Sequence, residues 1–169
     1  MTASSNENDR PTVIRPGESD TVDWGGFGVD WKIDGADTNG RFAIVHHTPF
    51  EPGILAAPLH RHHNEDEYSY VLEGTMGAFL GDEVVEAEAG SWVFKPRGQW
   101  HTFWNAGDTP CHIIEVISPA GFEDAFREWA EEIDDSEEPS ERDEKYAIDL
   151  DWESIPGLCE RFGLTFYEG

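Results

Sequence analysis

Four side chains in this sequence have the types and the spacing to hold a transition metal. The stretch Leu59-His60-Arg61-His62-His63-Asn64-Glu65-Asp66-Glu67-Tyr68 concentrates imidazoles and carboxylates. Side chains two apart on a strand share a face, so His60 and His62 turn toward one cavity. Glu67 opens the next strand, near enough across a hairpin to join them. His101 begins a strand just after the Pro96-Arg97-Gly98 reversal and supplies a fourth donor. Three imidazoles and one carboxylate suit one divalent transition metal (Fe, Mn, Co, Ni, Cu or Zn) and argue against Ca²⁺ or Mg²⁺, which prefer oxygen ligands. Four protein donors on a metal that accepts five or six leave positions for water, dioxygen or substrate. Two roles are open to Glu67: ligand, or general base swung off the metal with its pKa lifted by burial.

The neighbours divide by parity. His63 faces opposite to His60 and His62 on a regular strand and is no ligand; Glu65 is the runner-up to Glu67. His46 and His47 adjoin on one strand, so one of them must face inward as a pocket residue. His112 reads as structural, and Asn105 as a turn and hydrogen-bonding residue. Phe94, Trp100, Phe103, Trp104, Met76 and Tyr70 could wall an aromatic-binding pocket, although for most of them plain core is the better reading. Trp92 and Phe122 read as packing only.

Positioning those donors calls for many short strands. From Val22 to Ile117 apolar runs alternate with turn residues, the signature of an all-β domain. Strands are expected at 29–33, 42–48, 68–72, 75–80, 84–87, 92–95, 101–105 and 112–117. Glu73-Gly74 and Gly81-Asp82 occupy hairpin turns, where glycine tolerates positive φ. After Ser118 the period changes: Phe122, Phe126, Trp129 and Ile133 recur at helical spacing, predicting an amphipathic helix over 121–133 that packs on the outside of the barrel. Nine of the fourteen residues from Glu131 to Glu144 are acidic, which reads as a solvated linker. Trp152, Ile155, Leu158 and Phe162 predict a last short helix stopped by Gly163. The organisation is a flexible lead-in over 1–20, a β-barrel over 21–118 and a helical extension with its acidic linker over 119–169.

Charge excludes some partners. Thirty-six acidic residues face eleven basic ones, and the net charge of −25 repels nucleic acid and anionic membranes. The acids are spread along the whole chain and lysines are few, as on proteins from a salt-loaded cytoplasm, where the Debye length falls to ~3 Å at about 1 M. The polar start carries no apolar secretory stretch, and no segment has the apolar length to span a bilayer, so a cytoplasmic protein is expected. Cys111 and Cys159, the only two cysteines, read as reduced core residues.

The same residues carry a resemblance to the cupin superfamily. The first cupin motif is matched by Gly53, His60-Arg61-His62, four residues, Glu67, six residues and Gly74; the second by Gly90, Pro96-Arg97-Gly98, His101 and Asn105. Fifteen residues separate Gly74 from Gly90, and six, rather than the usual five, separate Gly53 from His60. The resemblance covers about residues 40–117. It implies an all-β double-stranded β-helix, a jelly-roll barrel with one or two C-terminal helices, whose mouth holds the metal on His60, His62, Glu67 and His101. The phrase Pro58-Leu59-His60-Arg61-His62, the strand at 68–72 and the trailing helix are most similar to the quercetin dioxygenase-like subgroup. That likeness implies a metal-dependent dioxygenase acting on a small aromatic or enolic substrate. A metal-assisted isomerase or decarboxylase is the alternative enzyme, and a small-molecule-binding cupin the non-enzymatic one. By analogy with small cupins, the partner of the chain is a second copy in a homodimer.

Overall fold

A computed structural model describes residues 13–130 and 144–167. Alternation of side chains drives the architecture. In β3 (Ala43–Phe50), Ala43, Val45 and His47 point inward, and in β11 (Cys111–Ser118), Cys111, Ile113, Glu115 and Ile117 do. β6 (Asp66–Glu73) buries Glu67, Ser69 and Val71. Together with β1 (Thr21–Asp23), β2 (Gly28–Ile33) and β9 (Trp92–Lys95), these make a six-stranded sheet in the order β1-β2-β3-β11-β6-β9.

The second sheet has β10 (His101–Asn105) at its centre. One edge of β10 pairs along its length with β7 (Thr75–Leu80), which in turn pairs with β8 (Glu83–Glu88). Its other edge is shared by β5 (Leu59–His62), opposite His101, and β4 (Ile54–Leu55), opposite Trp104. β12 (Ile148–Asp151) covers the free edge of β5, and β13 (Thr165–Phe166) runs parallel to β4. The outcome is an all-β jelly-roll with two C-terminal helices, α1 (Glu123–Ala130) and α2 (Ser154–Phe162).

All eight expected strands are present within about two residues, the usual scatter of boundaries. Two glycines show why the chain closes as it does. Gly74 turns the β6–β7 hairpin at φ +77°, with the carbonyl of Pro110 against the space a side chain would need. Gly77 lets the Trp104 indole lie on the backbone of β7; a Cβ there would fall inside the ring. The strands without an expectation, β1, β4, β12 and β13, are two to four residues long, too short to display a period.

The C-terminal region departs from expectation in one respect. Gly163 does stop α2, in the left-handed conformation with its N–H on the Cys159 carbonyl. The first helix, however, does not lie on the outer wall. Phe122, just before α1, sits edge-on to the His62 ring at 4.2 Å between centroids, and packs with Phe126, Trp129 and Tyr146. Phe122 and Ala125 join Val29, Trp31, Val45, Ile117 and Ile148 in one core cluster. The barrel end is apolar and open to a cover, so these rings bury more surface there than on the outer wall; a fully buried Phe contributes about 1.5–3 kcal/mol. Residues 131–133 of the predicted helix and the acidic segment up to 143 lie outside the described residues.

Candidate metal centre

The two sheets bring the donors together from opposite sides. β5 buries alternate residues, which turns His60 and His62 inward and leaves Leu59 and Arg61 half-buried. Pairing of His101 with His60 sets the third imidazole beside the first, with ring centroids 4.2 Å apart. Glu67 arrives from the facing sheet, on β6. One ligand atom from each of His60, His62, Glu67 and His101 lies within 4.8 Å of the others, and all four residues are buried.

The hydrogen bonds sort the ring nitrogens. His60 Nδ1 lies 2.8 Å from the Pro58 carbonyl and His101 Nδ1 3.0 Å from the Gln99 carbonyl, so Nδ1–H donates in each and Nε2 is left as the inward lone pair. His62 Nε2 is 3.4 Å from Glu67 Oε1, and His101 Nε2 is 3.2 Å from Glu67 Oε2. Neither nitrogen of His62 has a hydrogen-bond partner among the described residues although both are buried. Buried polar atoms are rarely left so. Lone pairs aimed at one point, with an orphaned imidazole among them, fit a bound cation of the kind these donors select.

Electrostatics keeps the imidazoles neutral and the carboxylate charged, as ligands must be. Burial drives His60 well below the ordinary imidazole range, helped by His101 and His62. Burial likewise lowers His62 to about 4, against the pull of Glu67. For Glu67, burial acts to raise the pKa, but Lys95, His62 and His101 outweigh it and hold the carboxyl well below the usual range.

Lys95 is the residue that sequence reasoning missed. Its Nζ is 2.9 Å from Glu67 Oε2 and 2.9 Å from Glu115 Oε2, with its side chain 1% exposed. Burial acts to pull its pKa down, yet the two carboxylates raise it above the ordinary value. Ser69 Oγ donates to the same Glu115 carboxylate at 2.9 Å. The signal was parity: Val93 and Lys95 are the inward members of Trp92-Val93-Phe94-Lys95, but two outward aromatics hid it.

The remaining histidines and acids fall where parity put them or close by. His47 is the inward member of its pair, 3% exposed, while His46 lies 3.2 Å from Asp30. His63 is half exposed and 3.1 Å from Asp149. Glu65 stays outside the four-donor group, 3.8 Å from His62 Nδ1, and burial lifts its carboxyl to about 7. His112 stands partly exposed, 3.7 Å from Glu73. Asn105 donates to the carbonyls of Phe50 and Thr109 and accepts from the Gly107 N–H. Of the aromatics, Phe103 and Met76 are core, Trp104 packs under α2 on Phe162, and Phe94 and Tyr70 stack outside on Tyr68 and Trp92. Trp92 is 62% exposed, so the packing expected of it is only a surface pair.

Comparison with known proteins agrees with this geometry. Residues 46–117 match the family described as Cupin domain. The chain is 35% identical over 73 residues to the tetracenomycin polyketide synthase protein TcmJ of Streptomyces glaucescens, a stretch that is 43% of this chain and 48% of that protein. The chain thus spans about half the length of the curated relative it matches. Among solved structures, KdgF from Halomonas sp. superposes with TM-score 0.58 at 19% identity, over 66% of this chain and 96% of that one. The polyketide cyclase RemF from Streptomyces resistomycificus superposes with TM-score 0.54 at 25% identity, over 64% and 80%. The domain match and the shared fold support a place in the cupin superfamily.

Proposed function

We propose that this chain is a metal-dependent cupin enzyme acting on a small, planar, enolisable substrate of polyketide type. One observation carries the reading: three imidazoles and a carboxylate converge, buried, at a barrel end closed by aromatic rings. Supporting it, the relatives above include a polyketide synthase protein and a polyketide cyclase. A divalent metal held by His60, His62, Glu67 and His101 would supply a Lewis-acid centre for a carbonyl or phenolic oxygen.

The chain's own groups do the rest. Burial keeps His60 and His62 neutral, so they offer lone pairs rather than protons. Glu67 serves as ligand rather than base, because Lys95 and His101 both hold its Oε2 and keep its proton affinity low. Phe122, resting on His62, screens the donors from water. A flat substrate would take the place of that ring.

The donor set equally suits a redox metal, which supports the quercetin dioxygenase-like oxidoreductase as a second reading. A salt-rich cytoplasm belongs to the same proposal, supported by the net charge of −25 and by the absence, among the described residues, of a helix long and apolar enough to cross a membrane. A homodimer is also part of it, by analogy alone.

Metal analysis of protein purified in high salt, without chelators or a metal-affinity step, tests the centre. About one transition metal per chain is expected, lost in His62→Ala. Turnover of polyketide-type substrates without oxygen consumption supports the Lewis-acid reading, and stoichiometric oxygen uptake the dioxygenase. Failure to bind any first-row ion would remove both.

A further inference from the structure

Four polar side chains cross the inner face of the six-stranded sheet, on neighbouring strands: His47 on β3, Glu115 on β11, Ser69 on β6 and Lys95 on β9. All are buried. Valine or leucine would fill such places at no desolvation cost, so each buried polar group calls for a reason. Lys95 and Ser69 have theirs in Glu115, and Lys95 also in Glu67. His47 does not. Its Nε2 lies 3.7 Å from Glu115 Oε2, while its Nδ1, also buried, meets no hydrogen-bond partner among the described residues.

Around the ring stand Phe27, Phe103 and Phe126, with centroids 4.9, 5.4 and 6.3 Å away. Two of these connect His47 to the metal donors. Phe103 follows His101 by two residues on β10, and its ring lies 5.0 Å from Lys95 Nζ. Phe126 packs on Phe122, the ring that rests on His62. His47 therefore faces the aromatic box that the donors face. The charged group facing it is Glu115 from β11, with Lys95 behind; β10 and the α1 region present only Phe103 and Phe126, and its register partner on β2 is Val29.

We infer that His47 and Glu115 form a proton-transfer pair, in which His47 Nδ1 is the base that takes a proton from an enolisable substrate held at the metal centre. The inference rests on the reading proposed above. The carboxylate of Glu115 favours the tautomer with hydrogen on Nε2, which leaves the Nδ1 lone pair free. In the step, the substrate C–H bond breaks, its proton forms the N–H bond at Nδ1, and its electron pair moves onto the carbonyl oxygen as the enolate. The imidazolium so formed is balanced by Glu115, whose 3.7 Å contact shortens as the charge appears. Return of the proton to carbon or oxygen resets the pair.

The test uses the full chain loaded with Zn²⁺ and benzoylacetone, a planar 1,3-diketone, as probe. Calorimetry in two buffers of different protonation enthalpy counts protons released on binding near neutral pH. Wild type is expected to bind the enolate with almost no release, because His47 keeps the proton. His47→Gln is expected to release about one proton per chain while titrating Zn²⁺ as wild type does. Equal release from both proteins overturns the pair. Imidazole ¹⁵N NMR gives an independent check on the unaltered protein: the Nε2–H tautomer of His47 is expected, and the Nδ1–H tautomer overturns the inference. If Zn²⁺ binds but benzoylacetone does not, the enolisable-substrate reading fails and takes this role of His47 with it, whatever the tautomer.

Discussion

Lys95 carries one positive charge between two buried carboxylates, and its removal would leave Glu67 and Glu115 facing each other in the barrel without a cation. Breaking a buried pair from one side costs about 3–5 kcal/mol, more than the pair contributes relative to apolar residues. Lys95→Met should therefore lower metal-free stability by about that much in urea at neutral pH, and adding Glu115→Gln should recover part of it. A single variant as stable as wild type would mean that the carboxylates do not both carry charge. At this scale the sequence was informative wherever function depends on spacing. His60, His62, Glu67 and His101 could be chosen because two-residue parity and motif gaps constrain them. Lys95, Glu115 and Ser69 could not, because their partners lie 20 to 46 residues away and only the strand register brings them together.

Among the elements, β7 and β10 depend on close contact of backbone and ring. Gly77→Ala should cost about 1–3 kcal/mol, because the Trp104 indole is wedged between β7 and Phe162 of α2 and has no room to yield. Thermal or urea unfolding would register it, and an unchanged midpoint would show that the indole shifts freely. The eight expected strands were legible because each has the alternation of a half-buried ribbon. The placement of α1 was not. Its apolar stripe says that one face is covered, but helical periodicity carries no information about which surface of a barrel covers it. The edge strand β12 escaped for a similar reason: Ile148-Asp149-Leu150-Asp151 alternates, but over only four residues and directly after a strongly acidic run.

At the level of the whole molecule, pH sets the stability of the metal-free protein through its buried histidines. An unfolded histidine titrates near 6.5, whereas burial lowers His62 to about 4 and His60 well below the ordinary range. Between those limits the unfolded chain binds more protons, so stability is complete above about 6.5 and falls as the medium is acidified, by an order of 3 kcal/mol from His62 alone. Glu65 opposes this. Its raised pKa of about 7 gives a contribution present below 4.5 and lost as pH rises through 7. With two histidines against one carboxylate, the urea midpoint should be higher near neutrality than under mild acid; the reverse order would mean that Glu65 dominates. Bound metal should steepen the fall, since protons compete for the same nitrogens.

The pairing of β12 with β5 also has a temporal side. His62 lies opposite Ile148, and His60 opposite Leu150, so the strand bearing two donors is completed by residues synthesised some 85 positions later. A ribosome delivers the whole metal-binding motif long before it delivers that neighbour. Until then the nascent chain presents β5 as a bare edge with two histidines on it, and a metal encountered early would meet a half-built strand rather than a finished centre.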